Sequence, residues 1–137
     1  MQFGRPDLTL VPDIGNQEYW DGLNQEKLLL KSCLDCGKAH FFPRPMCPLC
    51  HSDRLEWITA SGHGRIYSFS ATVSASSPYV FAMVTLEEGP TMITNIVDAS
   101  PEELAIGQDV EVTYLRDQTG KQNFPVFRPL LRQGARQ

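Results

Sequence analysis

Residues 33–50 read Cys33-Leu34-Asp35-Cys36-Gly37-Lys38-Ala39-His40-Phe41-Phe42-Pro43-Arg44-Pro45-Met46-Cys47-Pro48-Leu49-Cys50, a C-x2-C-x10-C-x2-C arrangement that holds all 4 cysteines of the chain. Two close pairs separated by a short hairpin can bring four thiolates onto one tetrahedral ion. Four soft sulfur ligands suit zinc and leave no open position for water or substrate, so Cys33, Cys36, Cys47 and Cys50 are expected to hold a structural Zn2+. Gly37, directly after the second cysteine, supplies the positive φ that turns knuckle amides toward sulfur. Pro48 stiffens the second knuckle. His51 stands where a matching glycine is expected, and histidine is among the residues tolerated at positive φ. The same residues admit three other readings: His51 displacing one cysteine as ligand, a pair of disulfides, which a reducing cytoplasm disfavours, and iron in a rubredoxin-like site.

Around this module, 137 residues suffice for one compact domain or for a small stapled module attached to a domain of about a hundred residues. A composition 42% hydrophobic and 20% charged is that of a folded globular chain. Twelve basic against sixteen acidic residues leave a net charge of −4, which gives no global attraction for a polyphosphate. The stretch from Met1 to Asp7 lacks the features of a signal peptide, and no later run approaches the length of a membrane span. A soluble, cytoplasmic protein is expected.

Before the cysteines, Pro12 to Leu23 reads as a short amphipathic helix with Asn16 as a capping residue and Tyr19, Trp20 and Leu23 on one side, expected to pack on the domain. Lys27 to Ser32 reads as a strand entering the cysteine module and Leu55 to Thr59 as a strand leaving it. Two glycines in Ser61-Gly62-His63-Gly64 then permit a bend or bulge. Five strands are expected beyond it: Arg65 to Val73, Tyr79 to Leu86, Thr91 to Val97, Asp109 to Arg116 and Phe124 to Leu131. In the first, Tyr67, Phe69, Ala71 and Val73 alternate with Ile66, Ser68, Ser70 and Thr72, the pattern of a strand with one buried face. Ser100-Pro101-Glu102-Glu103 carries a capping-box signature with proline at the first helical position. Five strands with a helical element between the third and fourth give an OB-fold. The fold class is therefore mainly β: an N-terminal helical segment (1–25), a rubredoxin-like zinc ribbon (26–60), a five-stranded OB-fold barrel (61–131) and a C-terminal tail (132–137).

No catalytic constellation assembles from the remaining residues. His40, His51 and His63 are scattered, the cysteines are claimed by metal, and Ser68, Ser70, Ser74, Ser76 and Ser77 have no nucleophile-elbow context. Neither a P-loop nor a dinucleotide fingerprint occurs. The loop Phe41-Phe42-Pro43-Arg44-Pro45 places two aromatics and a cation on a metal-held segment, either as a contact surface or as cover for the ribbon's own core.

The ordered series Tyr19-Trp20-Asp21-Gly22-Leu23, Cys33-Leu34-Asp35-Cys36-Gly37, Phe42-Pro43-Arg44-Pro45, Cys47-Pro48-Leu49-Cys50, Gly62-His63-Gly64-Arg65-Ile66-Tyr67-Ser68-Phe69, Ile106-Gly107-Gln108-Asp109-Val110-Glu111-Val112 and Phe124-Pro125-Val126-Phe127-Arg128-Pro129 resembles the zinc-ribbon plus OB-fold proteins, long classed as a domain of unknown function, that accompany thiolase-like enzymes of acyl-CoA metabolism. The resemblance spans nearly the whole chain; His51 departs from its usual glycine. It implies a non-catalytic accessory subunit bound to a thiolase-like partner in an acyltransferase or aldolase complex, with the partner supplying the chemistry. A CoA thioester is then a ligand of the complex, with Phe41, Phe42 and Arg44 as contact residues and Arg65 and Arg128 as anion-binding residues. The competing expectation is an OB-fold binder of single-stranded nucleic acid, with Tyr67 and Phe69 stacking bases, which the net charge of −4 opposes.

Overall fold

The computed structural model describes residues 16–72 and 79–130; the start of the expected helix, Val73, Leu131 and the tail lie outside them. The helix α1 spans Gln17–Asn24. Asn16 stands at its N-terminus, but it caps through its carbonyl, which accepts from the Tyr19 and Trp20 amides, and not through its side chain. Three short strands follow: β1 (Leu29–Cys33), β2 (Ala39–His40) and β3 (Leu55–Thr59), ordered β2-β1-β3 and antiparallel. Of these, β2 has no signature in the sequence, being two residues long.

The remaining strands, β4 (His63–Thr72), β5 (Tyr79–Leu86), β6 (Thr91–Ile96), β7 (Asp109–Arg116) and β8 (Asn123–Pro129), close a barrel in the order β4-β5-β6-β8-β7. A 3-10 turn, Pro101–Glu103, sits between β6 and β7, and the Ser100 amide donates to the Glu103 carboxylate at 2.8 Å as the capping signature requires. The architecture is that of the expected mainly β chain with a closed five-stranded OB-like barrel.

Strict alternation breaks within β4. The register with β5 shifts between Ile66 and Ser68, so Tyr67 is an extra, bulged residue. Ile66 opposite Val84 is buried, Tyr67 is exposed, and beyond the bulge Phe69 opposite Ala82 packs on the core. Strict alternation puts Tyr67 and Phe69 on one face; the inserted residue moves them to opposite faces, so the two rings cannot form one stacking platform.

Helix, ribbon and barrel share a single core. Tyr19 and Leu23 of α1 and Leu28 and Leu30 beside and in β1 cluster with Ile66, Val80, Val84, Ile96, Val110 and Phe127 of the barrel. Buried amides complete the joint: Asn123 donates through Nδ2 to the Leu23 carbonyl at 3.0 Å, Gln122 through Nε2 to the Trp20 carbonyl at 3.1 Å, and the Asn123 amide donates to Asn24 Oδ1 at 2.7 Å. The C-terminal half of α1 thus finds its polar partners on the barrel instead of in water. Among the described residues no helix is long and apolar enough to cross a membrane.

Candidate metal centre

The two cysteine pairs lie on two turns built alike. In the first, the Gly37 amide donates to the Cys33 carbonyl at 2.9 Å, the Cys36 amide points at Cys33 Sγ at 3.4 Å, and the Cys33 amide donates to the Lys38 carbonyl. In the second, His51 donates to the Cys47 carbonyl at 2.9 Å, the Leu49 amide points at Cys47 Sγ at 3.4 Å, and the Cys47 amide donates to the Ser52 carbonyl. Gly37 has φ +77° and His51 φ +68°, so the histidine adopts the left-handed conformation its position demands. Asp35 ties the turns together by accepting from Ser52 Oγ and from the Arg54 guanidinium.

All four Sγ atoms lie within 4.8 Å of one another. Cys33 Sγ is 3.5 Å from Cys50 Sγ, and Cys36 Sγ is 3.8 Å from Cys47 Sγ. A tetrahedral ion with metal–sulfur bonds of about 2.3 Å places its ligands about 3.8 Å apart, whereas a disulfide needs about 2.05 Å. The donor set therefore fits a metal ion, and the four cysteines are free thiols rather than two bridges.

Electrostatics point the same way. The Cys36 amide is the main cause that draws the Cys33 thiol down to about 6, and the Cys50 amide likewise lowers Cys47. Cys50 is pushed up to about 12: the Ser52 amide pulls it down, but the neighbouring Cys33 sulfur, burial, and the Cys36 and Cys47 sulfurs outweigh that pull. Like charges this close resist joint ionisation unless a cation sits among them. Four thiolates around a divalent ion fill its coordination sphere, so the site can hold a fold together but offers no position for a reacting molecule.

The other residues singled out in the sequence are dispersed. Phe41 and Phe42 are half-buried, with ring centroids 5.9 Å and 5.1 Å from that of Tyr19 in edge-on contact, and thereby join the ribbon loop to α1. Arg44 is exposed, and its carbonyl accepts from Lys31 Nζ. Arg65 and Arg128 stand on the outer face of the barrel, each ion-paired across the sheet to a β7 carboxylate: Arg65 to Asp109 at 3.4 Å and Arg128 to Glu111 at 3.0 Å. Arg65 and Asp109 also line a groove of about 440 Å³ with His63 and Glu87. Neither carboxylate partnership was legible, because β4, β7 and β8 meet only in the folded barrel.

Comparison with known proteins follows the same division. Residues 20–56 match the family model described as ChsH2, rubredoxin-like zinc ribbon domain, and residues 57–115 match ChsH2, C-terminal OB-fold domain. A probable enoyl-CoA hydratase alpha subunit of Thermomonospora curvata is 31% identical over 86% of this chain, which spans only 38% of that protein's length. A DUF35 domain-containing scaffold protein of Methanothermobacter thermautotrophicus is 39% identical over 60% of this chain and 67% of its own length. Benzoylsuccinyl-CoA thiolase subunit BbsA of Geobacter metallireducens is 27% identical over 91% of this chain and 82% of its own. Among solved structures, the Ltp2-ChsH2(DUF35) aldolase contains a chain that superposes with a TM-score of 0.75 at 29% identity, covering 88% of this chain and 98% of that one. With both modules matched in order around a four-cysteine centre, the chain belongs to the ChsH2-type, DUF35 family of zinc-ribbon plus OB-fold proteins.

Proposed function

We propose that this chain is a non-catalytic, zinc-binding accessory subunit of a thiolase-like acyltransferase or aldolase complex, working in the cytoplasm, with residues 26–60 as the metal-fixed ribbon and 61–131 as the barrel. The observation that carries the reading is the closed four-sulfur centre inside a fold shared with proteins named as scaffold, thiolase subunit and aldolase component. A saturated ion stabilises without reacting, which leaves the chemistry to a partner. Co-expression with the thiolase-like subunit of the same organism, followed by size-exclusion chromatography and metal analysis, is expected to yield a stable complex with one zinc per chain. A chain that stays alone, or that carries iron or no metal, overturns the assignment.

A contribution to acyl-CoA binding belongs to the same proposal. Phe41, Phe42 and Arg44 are the ribbon's contact residues, and Arg65 and Arg128 meet the anionic end of the ligand. Their exposed ion pairs with Asp109 and Glu111 are worth at most about 1 kcal/mol, so a phosphate can displace the carboxylates. Alanine at Arg65 and Arg128 is expected to weaken acyl-CoA binding by the assembled complex several-fold; unchanged affinity removes the anion role and leaves the accessory role standing.

A further inference from the structure

We propose that the outer face of β5 and β6, together with the cleft at its end beside Glu88, is the surface on which the thiolase-like partner docks, and that the partner inserts a basic side chain into that cleft. The proposal rests on the accessory-subunit reading above and names its interface.

The barrel register defines the face. Met83 lies opposite Ile93 on one side and Ser68 on the other, while Phe81 lies opposite Asn95 and Ser70. Ile93 is 70% exposed, Tyr67 63%, Phe81 44% and Met83 37%. Tyr79 stands edge-on to Phe81 with centroids 5.1 Å apart. The bulge in β4 turns Tyr67 outward beside this group. The outward positions of β5 and β6, Tyr79, Phe81, Met83 and Thr85 with Thr91, Ile93 and Asn95, include no lysine, arginine or carboxylate. The opposite outer face, on β4, β7 and β8, instead carries His63, Arg65, Asp109, Glu111 and Arg128. Aromatic and methionine side chains without charge are what the centre of a protein–protein interface contains.

The charge appears only at the end of the face. Thr91, two residues before Ile93 and on the same side of β6, lines a cleft of about 450 Å³ between the β5–β6 turn and the ribbon, bounded by Glu88, Pro90, His40, Leu49 and Lys38. Glu88 accepts from the Ser61 amide through Oε2 at 2.8 Å, but its Oε1 is buried without a hydrogen-bond partner. His40, 5% exposed, likewise has no partner at either ring nitrogen. A buried carboxylate oxygen left unpaired is costly, and a cationic N–H donor is the group that relieves it. Lys38 borders the cleft but makes no such bond to Glu88. Phosphate-bearing ligands fit poorly on the face itself, because its outward positions offer them no cation.

The test uses the full chain co-expressed with the thiolase-like subunit of the same organism, with the dissociation constant read by biolayer interferometry. Ile93→Asp and Glu88→Gln are each expected to weaken binding at least tenfold, while Lys121→Gln, on an exposed turn elsewhere, leaves it unchanged. Zinc content and melting temperature report whether each variant folds, and Met83→Lys replaces Ile93→Asp if the latter does not. Wild-type affinity in both variants overturns the docking surface while leaving the accessory role intact. Loss with Ile93→Asp but not with Glu88→Gln overturns the basic anchor. No complex with the wild-type chain overturns the accessory reading and this interface with it.

Discussion

His51 and Gly37 occupy equivalent places in two like turns, with φ of +68° and +77°, yet only one is glycine. A side chain in the left-handed region costs about 1 kcal/mol. His51→Gly is therefore expected to stabilise the protein by up to about 1 kcal/mol with zinc content unchanged. Gly37→Ala is expected to cost a similar amount. A Cβ at Gly37 meets nothing within 4 Å, so the loss reports backbone strain alone. Urea denaturation of both variants checks the pair. Two tyrosines contribute to stability on the alkaline side. Burial is the main cause that raises Tyr19 far above its usual value of 10.0 and pushes Tyr114 up to about 12. The folded state then holds these phenolic protons more tightly than the unfolded chain. The stability Tyr114 contributes is full below pH 10 and is lost as pH rises from 10 toward 12, while the loss from Tyr19 continues to still higher pH. Tyr114→Phe should flatten that decline, which denaturation midpoints measured from pH 9 to 12 would reveal.

At the scale of elements, the barrel depends on how closely β4 and β5 approach at their open end. A Cβ at Gly64 would lie 2.6 Å from Val84 Cγ1 and 2.8 Å from the Thr85 carbonyl oxygen. Gly64→Ala should therefore cost about 2 kcal/mol or more through overpacking against a backbone that cannot retreat, lowering the melting temperature. Most elements were legible because their signals are local: β3 and β5 to β7 lie where alternation and turn residues put them, give or take one residue at an end. The knuckles were legible for the same reason, since their hydrogen bonds join residues four or five apart. The bulge at Tyr67 was not, because an inserted residue shows only against the partner strand's register. Nor was the seating of α1, whose buried partners Gln122 and Asn123 lie about a hundred residues away in sequence.

Across the whole molecule the metal centre and the hydrophobic core are joined through β1, which ends at Cys33 and contributes Leu30 to the core. Removing the ion with a strong chelator is therefore expected to unfold the ribbon, lower the melting temperature of the whole chain, and abolish partner assembly. Calorimetry with and without chelator, alongside size-exclusion chromatography of the complex, checks this; a complex that survives metal loss intact would show that the ribbon has no part in docking. Residue order along the chain was enough to read the four cysteines at metal-binding spacing, the mainly β class and the five barrel strands, because cysteine spacing, residue alternation and capping act over a few residues. Tertiary structure alone decided that Phe41 and Phe42 turn toward α1, that Arg65 and Arg128 pair with β7 carboxylates, and that an uncharged face on β5 and β6 ends at an unpaired Glu88 oxygen. Those relations depend on which strands become neighbours when the barrel closes, and barrel closure is a property of the whole chain.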